Sequence, residues 1–95
     1  MALARVVAFE GVGRERMEQM RREMDESAPP EGLRPTELVV LHDPDDETAL
    51  VILTFDNEED YRRGDEILSA MPAGDTPGRR VSVKKYDVAL RMTPG

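Results

Sequence analysis

Apolar runs and charged stretches alternate along the chain, and the spacing of the apolar residues predicts its elements. Leu3 to Val12, LARVVAFEGV, is rich in Val and Ala and closes on Gly11 and Gly13, which predicts a first strand. RERMEQMRREMDE follows, from Arg14 to Glu26. Its apolar residues are Met17, Met20 and Met24, three and then four apart, so it predicts a helix with one narrow apolar stripe. Pro29 and Pro30 cannot continue that helix. Two apolar runs then flank an acidic loop in TELVVLHDPDDETALVILTF, Thr36 to Phe55. They predict a second strand from about Glu37 to His42 and a third from about Thr48 to Phe55. Between them Asp43-Pro44-Asp45-Asp46 is turn chemistry, since Asp binds its own backbone and Pro presets φ, so the pair forms an antiparallel hairpin. In FDNEEDYRRGDEILSAMP, Asp56 or Asn57 suits an N-cap, and Asp56 with Glu59 fits an acidic variant of the capping box. Glu58, Glu59 and Asp60 fall in the first turn, where the helix dipole favours them. Tyr61, Gly64, Leu68 and Met71 share one face with Ile67 beside it, and Pro72 ends the helix. The loop AGDTPG leads to a last strand from about Arg79 to Met92.

The predicted order is β-α-β-β-α-β in a single domain over residues 1–95. Right-handed crossovers and the central hairpin give an antiparallel sheet of order 4-1-3-2 with both helices on one face, a ferredoxin-like α+β sandwich. On a monomer the other face of such a sheet meets water and is expected to be polar. Here it is apolar. Val6 and Ala8 oppose Val7 and Phe9 in strand one; Leu50 and Ile52 oppose Ala49, Val51, Leu53 and Phe55 in strand three; Val39 and Leu41 oppose Leu38 and Val40 in strand two. Burying each large side chain of that second face gains roughly 1.5–3 kcal/mol, and four or five of them rival the stability of a small domain. The chain has no spare strand to cover them, so a second copy is expected: a two-fold homodimer through the sheet faces. In the last strand Val81 and Val83 share one parity, while Tyr86, Val88, Leu90 and Met92 share the other. A bulge near Lys84-Lys85, a frayed terminus, or a strand that leaves its own sheet for the partner's would each produce that flip. The partner-reaching C-terminal strand is the expectation adopted.

With its strand, DPDDE turn, strand ending LTFDNEEDYRRGDEIL and late VSVKKYDVAL, the chain resembles the dimeric α+β barrel superfamily, and in particular its antibiotic-biosynthesis-monooxygenase-like domains. The likeness covers roughly residues 3 to 92 and rests on element order and on the segment from Asp43 to Leu68. It implies two-fold dimers with facing sheets and a cleft in each protomer between helices and sheet. Some members oxidise polycyclic aromatic substrates without metal or flavin; others degrade haem, isomerise lactones or remove chlorite. Oxygenating and haem-degrading members tend to use an Asn, a Trp and an Arg or His in the cleft. This chain has no Trp, and its one Asn, Asn57, is explained by capping, so no catalytic residue is carried over.

Composition narrows the partners. There is no Cys, so disulfides and thiolate metal sites are excluded. The opening MALARVVAFE is too short and too charged for a signal peptide, and no run approaches the ~20 apolar residues of a membrane span, so a soluble cytoplasmic protein is expected. The net charge of −7 argues against nucleic acid and anionic membranes. His42 is the one histidine; it could act as a base or ligand, or be bound to the adjacent turn, and alone it makes no metal site. Asp43, Asp45, Asp46 and Glu47 lack the spacing of a calcium loop. Candidates for lining an apolar pocket in the helix–sheet cleft are Phe9, Met17, Met20, His42, Tyr61 and Gly64. The methionines would supply adaptable thioethers, Tyr61 a hydroxyl, and Gly64 either room for a ligand or close helix–sheet contact. No cofactor is expected. The function expected is a dimeric module that binds a small apolar ligand or a protein partner without clear catalytic machinery. The alternative is a cofactor-independent monooxygenase or isomerase acting on an aromatic small molecule.

Overall fold

The computed structural model describes residues 2–26, 32–70 and 78–92. Its elements are β1 (Leu3–Glu10), α1 (Arg14–Glu26), β2 (Glu37–Asp43), β3 (Thr48–Phe55), α2 (Glu58–Ser69) and β4 (Arg79–Asp87). The prolines expected to end the helices, Met71 and the loop through Pro77 lie outside the described residues. The strands form one antiparallel sheet in the order β2-β3-β1-β4, the ferredoxin-like order. No helix among the described residues is long and apolar enough to cross a membrane.

Each predicted element forms, for local reasons the sequence carries. The β2–β3 turn is closed by Asp43, whose Oδ1 accepts from the backbone N–H of Asp45 (3.1 Å) and of Asp46 (3.2 Å). α2 starts at Asn57, whose Oδ1 accepts from Asp60 N at 2.8 Å, so Asn57 rather than Asp56 is the cap. β1 ends at Glu10, because Gly11 turns to a φ of 72°.

Two expectations for β4 are corrected. It ends at Asp87, not Met92; the last contact with β1's side of the sheet is the Val88 N–H donating to the Ala2 carbonyl at 2.9 Å. The irregularity lies at Val81, not at Lys84-Lys85: Ala8 pairs with Ser82 and Phe9 with Arg80, leaving Val81 as the extra residue of a bulge. Past the bulge β4 alternates normally. Val83, opposite Val7, therefore points to the helices, and Tyr86, opposite Ala4, points away from them.

The core lies between helices and sheet in two clusters. Leu3, Leu53, Phe55 and Tyr61 form one beneath α2, with Leu33, Val51 and Leu68 packed on it. Val7, Phe9, Val12 and Ala49 form the other, and Met17 of α1 packs on that one. α1 has no fully buried residue and Met24 is exposed, so the narrow methionine stripe gives it a light attachment.

Candidate functional site

The six candidates named from sequence do not surround one pocket. Phe9 and Met17 belong to the second core cluster, with Met20 half-buried a turn further along α1. His42 points toward the helix layer, where its Nε2–H donates to the Val12 carbonyl at 2.8 Å. That bond, with the Val12 N–H donating to the Glu47 carbonyl at 2.7 Å, ties the segment after β1 to the hairpin. Tyr61 and Gly64 lie at the other end of the layer. The Tyr61 ring meets Phe55 edge-on, with centroids 5.7 Å apart, and Lys85 Nζ stands 5.0 Å over its face. Burial first, and the Asp65 carboxylate second, raise its hydroxyl above the usual tyrosine value. A Cβ on Gly64 would lie 2.7 Å from the Phe55 ring, so the glycine permits close helix–sheet approach at this point.

Arg5 is the residue that the sequence reading passed over. It shares the helix-facing parity of Leu3, Val7 and Phe9 and is 3% exposed. Its Nε donates to Asp65 Oδ1 at 2.9 Å and its Nη2 to Ser69 Oγ at 3.4 Å, both on α2. The alternation gives only the register of Arg5 with a buried row; that it is buried with its charge matched depends on Asp65, one position from Gly64 on the covering helix.

The concave surface is on the opposite face of the sheet. There Leu41, Leu50 and Ala8 form one row across β2, β3 and β1, and Val39, Ile52 and Val6 form the next. Leu41 is 49% exposed, Leu50 37%, Val81 53% and Tyr86 49%; Val6, Ala8, Val39 and Ile52 are half-buried. At the hairpin end this face dips into a shallow open hollow of about 430 Å³. Ala8 is its floor, Leu41 and Leu50 one wall and Val81 the other, with Glu10, Asp43 and Thr48 along the rim. Phe9 and His42 contribute to its lining from strand positions whose side chains turn to the helices. Glu10 also pairs across the strands with Arg79. Among the described residues, no three His, Asp or Glu side chains gather as a metal-holding group. No protein-family model matches the chain, and neither a curated protein nor a solved structure matches it.

Proposed function

We propose that the protein is a binding module that works as a two-fold homodimer, sheet face against sheet face, and receives a small apolar ligand without acting on it. The observation that carries this is the apolar open face. Seven side chains of useful size (Val6, Val39, Leu41, Leu50, Ile52, Val81 and Tyr86) lie there outside the core. Covering their remaining exposed surface gains roughly 1 kcal/mol each, and two copies contribute twice. That sum is comparable with the association cost of about 4–15 kcal/mol, so the pairing is reversible and depends on concentration.

Charge selects the arrangement. Two sheets can face each other about a two-fold axis that runs along the strands or across them. An axis across the strands sets β2 on β2 and brings Asp43 against the partner's Glu37, two carboxylates. An axis along the strands sets β2 on the partner's β4, so that Asp43 meets the partner's Arg79 and Glu37 comes near the partner's Lys84. The same axis carries residues 88–92, where Leu90 is 80% exposed, toward the start of the partner's β2.

Binding rather than reaction is supported by the hollow's lining, where Ala8, Leu41, Leu50 and Val81 are apolar and His42 Nε2–H is held by the Val12 carbonyl. Tyr61 is buried under Lys85, and the carboxyl of Glu58, lowered by its hydrogen bond from Lys85, is on the surface beside it; neither borders the hollow. Sedimentation across a concentration series tests the pairing. The expected mass is about 21 kDa, twice the 10.7 kDa of the chain, falling on dilution. Leu50→Arg should sediment as a folded single chain. A native protein that keeps the single-chain mass at high micromolar concentration would refute the proposal.

A further inference from the structure

We infer that the hollow at the hairpin end of the open face is the ligand site, and that it takes an uncharged, largely apolar molecule enclosed between two copies. The inference rests on the sheet-to-sheet pairing above and adds the place and the chemistry. An axis along the strands keeps the hairpin end of one sheet over the hairpin end of the other, so hollow faces hollow. Each is about 430 Å³ and open to solvent by itself. Closed by its counterpart, the space falls within the roughly 300–1,000 Å³ of small-molecule sites.

The hollow is built into the sheet. Ala8 is the smallest side chain of the row Leu41, Leu50, Ala8 and Ser82, and Val81, the extra residue of the β4 bulge, lines the far side. A flat pair of packed sheets would fill that space with interdigitating side chains; here both floors are alanine. The rim decides the charge of the guest. Glu10 and Asp43 stand at the mouth with Arg79 paired to Glu10, so each copy keeps an excess of one carboxylate there and pairing doubles it; an anion meets that excess while a neutral molecule meets Leu and Val.

The test uses two fluorescent probes of one skeleton: neutral N-phenyl-naphthylamine and its anionic relative, anilinonaphthalene sulfonate. The neutral probe should bind saturably at concentrations where the protein sediments as a dimer, and the sulfonate at least about tenfold more weakly. Ala8→Leu fills the floor and should weaken the neutral probe about tenfold or more, with the dimer mass retained. Should that variant fail to fold, nuclear Overhauser contacts between the probe and the methyl groups of Leu41 and Leu50 in the unaltered protein decide the site. A dimer that ignores the neutral probe, binds the sulfonate as well, or places the probe against Met17 and Leu68 overturns this site and leaves the pairing standing. A single-chain mass overturns the pairing and this site with it.

Discussion

Gly64→Ala separates the two meanings of a glycine inside α2: room for a guest, or contact too close for a side chain. The added Cβ lies 2.7 Å from Cζ and 2.8 Å from Cε1 of Phe55, and 3.1 Å from Cδ1 of Leu33. Carbon atoms pack at about 3.5–4.0 Å, so the ring must withdraw by roughly 0.8 Å. It has nowhere to go. Phe55 has no exposed surface, and its cluster with Leu3, Leu53 and Tyr61 closes around it. Overpacking of this kind costs about 1–3 kcal/mol. Against it stands the gain of about 1 kcal/mol for Ala over Gly in a helix interior. The net expectation is a loss of about 1 kcal/mol, a fall in Tm of roughly 4–8 °C for a chain of this size.

A second background makes the sign diagnostic. With Phe55→Leu the obstructing ring atoms are gone and only the Leu33 Cδ1 contact at 3.1 Å remains, the far end of a flexible side chain; the same Gly64→Ala change should now be neutral or stabilise by up to about 0.5 kcal/mol. The assay is urea unfolding followed by circular dichroism, at one fixed protomer concentration because the proposed pairing would make apparent stability depend on it. Stabilisation by Gly64→Ala in the native background would refute the reasoning. It would mean that α2 stands off the sheet, and the helix–sheet cleft would become the better place to seek a ligand.

Two further outcomes follow from the groups around α2. Asp65→Ala should cost about 2 kcal/mol in urea unfolding, because it strands the charge of Arg5 in the core; the value stays below that of a fully buried pair because Asp65 is 42% exposed. Arg5→Met removes charge and need together and should fall within about 1 kcal/mol of the native protein, so equal losses for the two variants would sink the account. Tyr61 has a raised value in the folded state, so its neutral form contributes stability that is complete below the unfolded tyrosine value near 10. That stability is lost as pH rises from there through the folded value. Tyr61→Phe should therefore flatten the decline of unfolding free energy above about pH 10, and an unchanged slope would show that the phenol is not desolvated.

What was legible in the sequence is what local chemistry decides. The strands, both helices, the Asp43 turn and the sheet order are each fixed by apolar period, Pro and Asp placement and crossover handedness. The misjudged features depend on partners distant in sequence. The end of β4 at Asp87 is set opposite Leu3 of β1, and no pattern within β4 records that pairing. The change of apolar parity between Val83 and Tyr86 needs no bulge, since Val83 faces the helices and Tyr86 the open face in regular register; the bulge lies at Val81 and is set by the pairing with Ala8 and Phe9. Arg5 was hidden by its apolar neighbours, since reading it as buried requires knowing that Asp65 comes down over it from a helix sixty residues away. Of the pocket candidates, Phe9 and His42 border the hollow while Met17, Met20, Tyr61 and Gly64 lie on the helix side of the sheet; on the open face an alanine among leucines is the local sign of the hollow.

The distribution of charge on the open face argues against a surface meant for water. A monomer would keep such a sheet soluble and unpaired by placing lysine or glutamate at its centre. Here the two central strands carry Val6, Ala8, Leu50 and Ile52 at that place. The charged residues of the face are at its perimeter: Glu37 and Asp43 on edge strand β2, Arg79 and Lys84 on edge strand β4, and Glu10 in the last row of β1. An apolar centre inside a charged rim is the anatomy of a protein–protein contact, with the rim setting orientation and the centre supplying affinity. The patch is small. Four strands about 4.8 Å apart and seven residues long cover only roughly 450 Å², against the roughly 800 Å² of accessible surface per partner in a stable interface. On the proposed pairing, the relief of the side chains and the exposed Leu90 and Met92 beyond β4 would make up the difference. A chain stopped after Val88 should accordingly still fold, keep its β1–β4 pairing, and dimerise only at higher concentration than the native protein; undiminished pairing would confine the interface to the sheet.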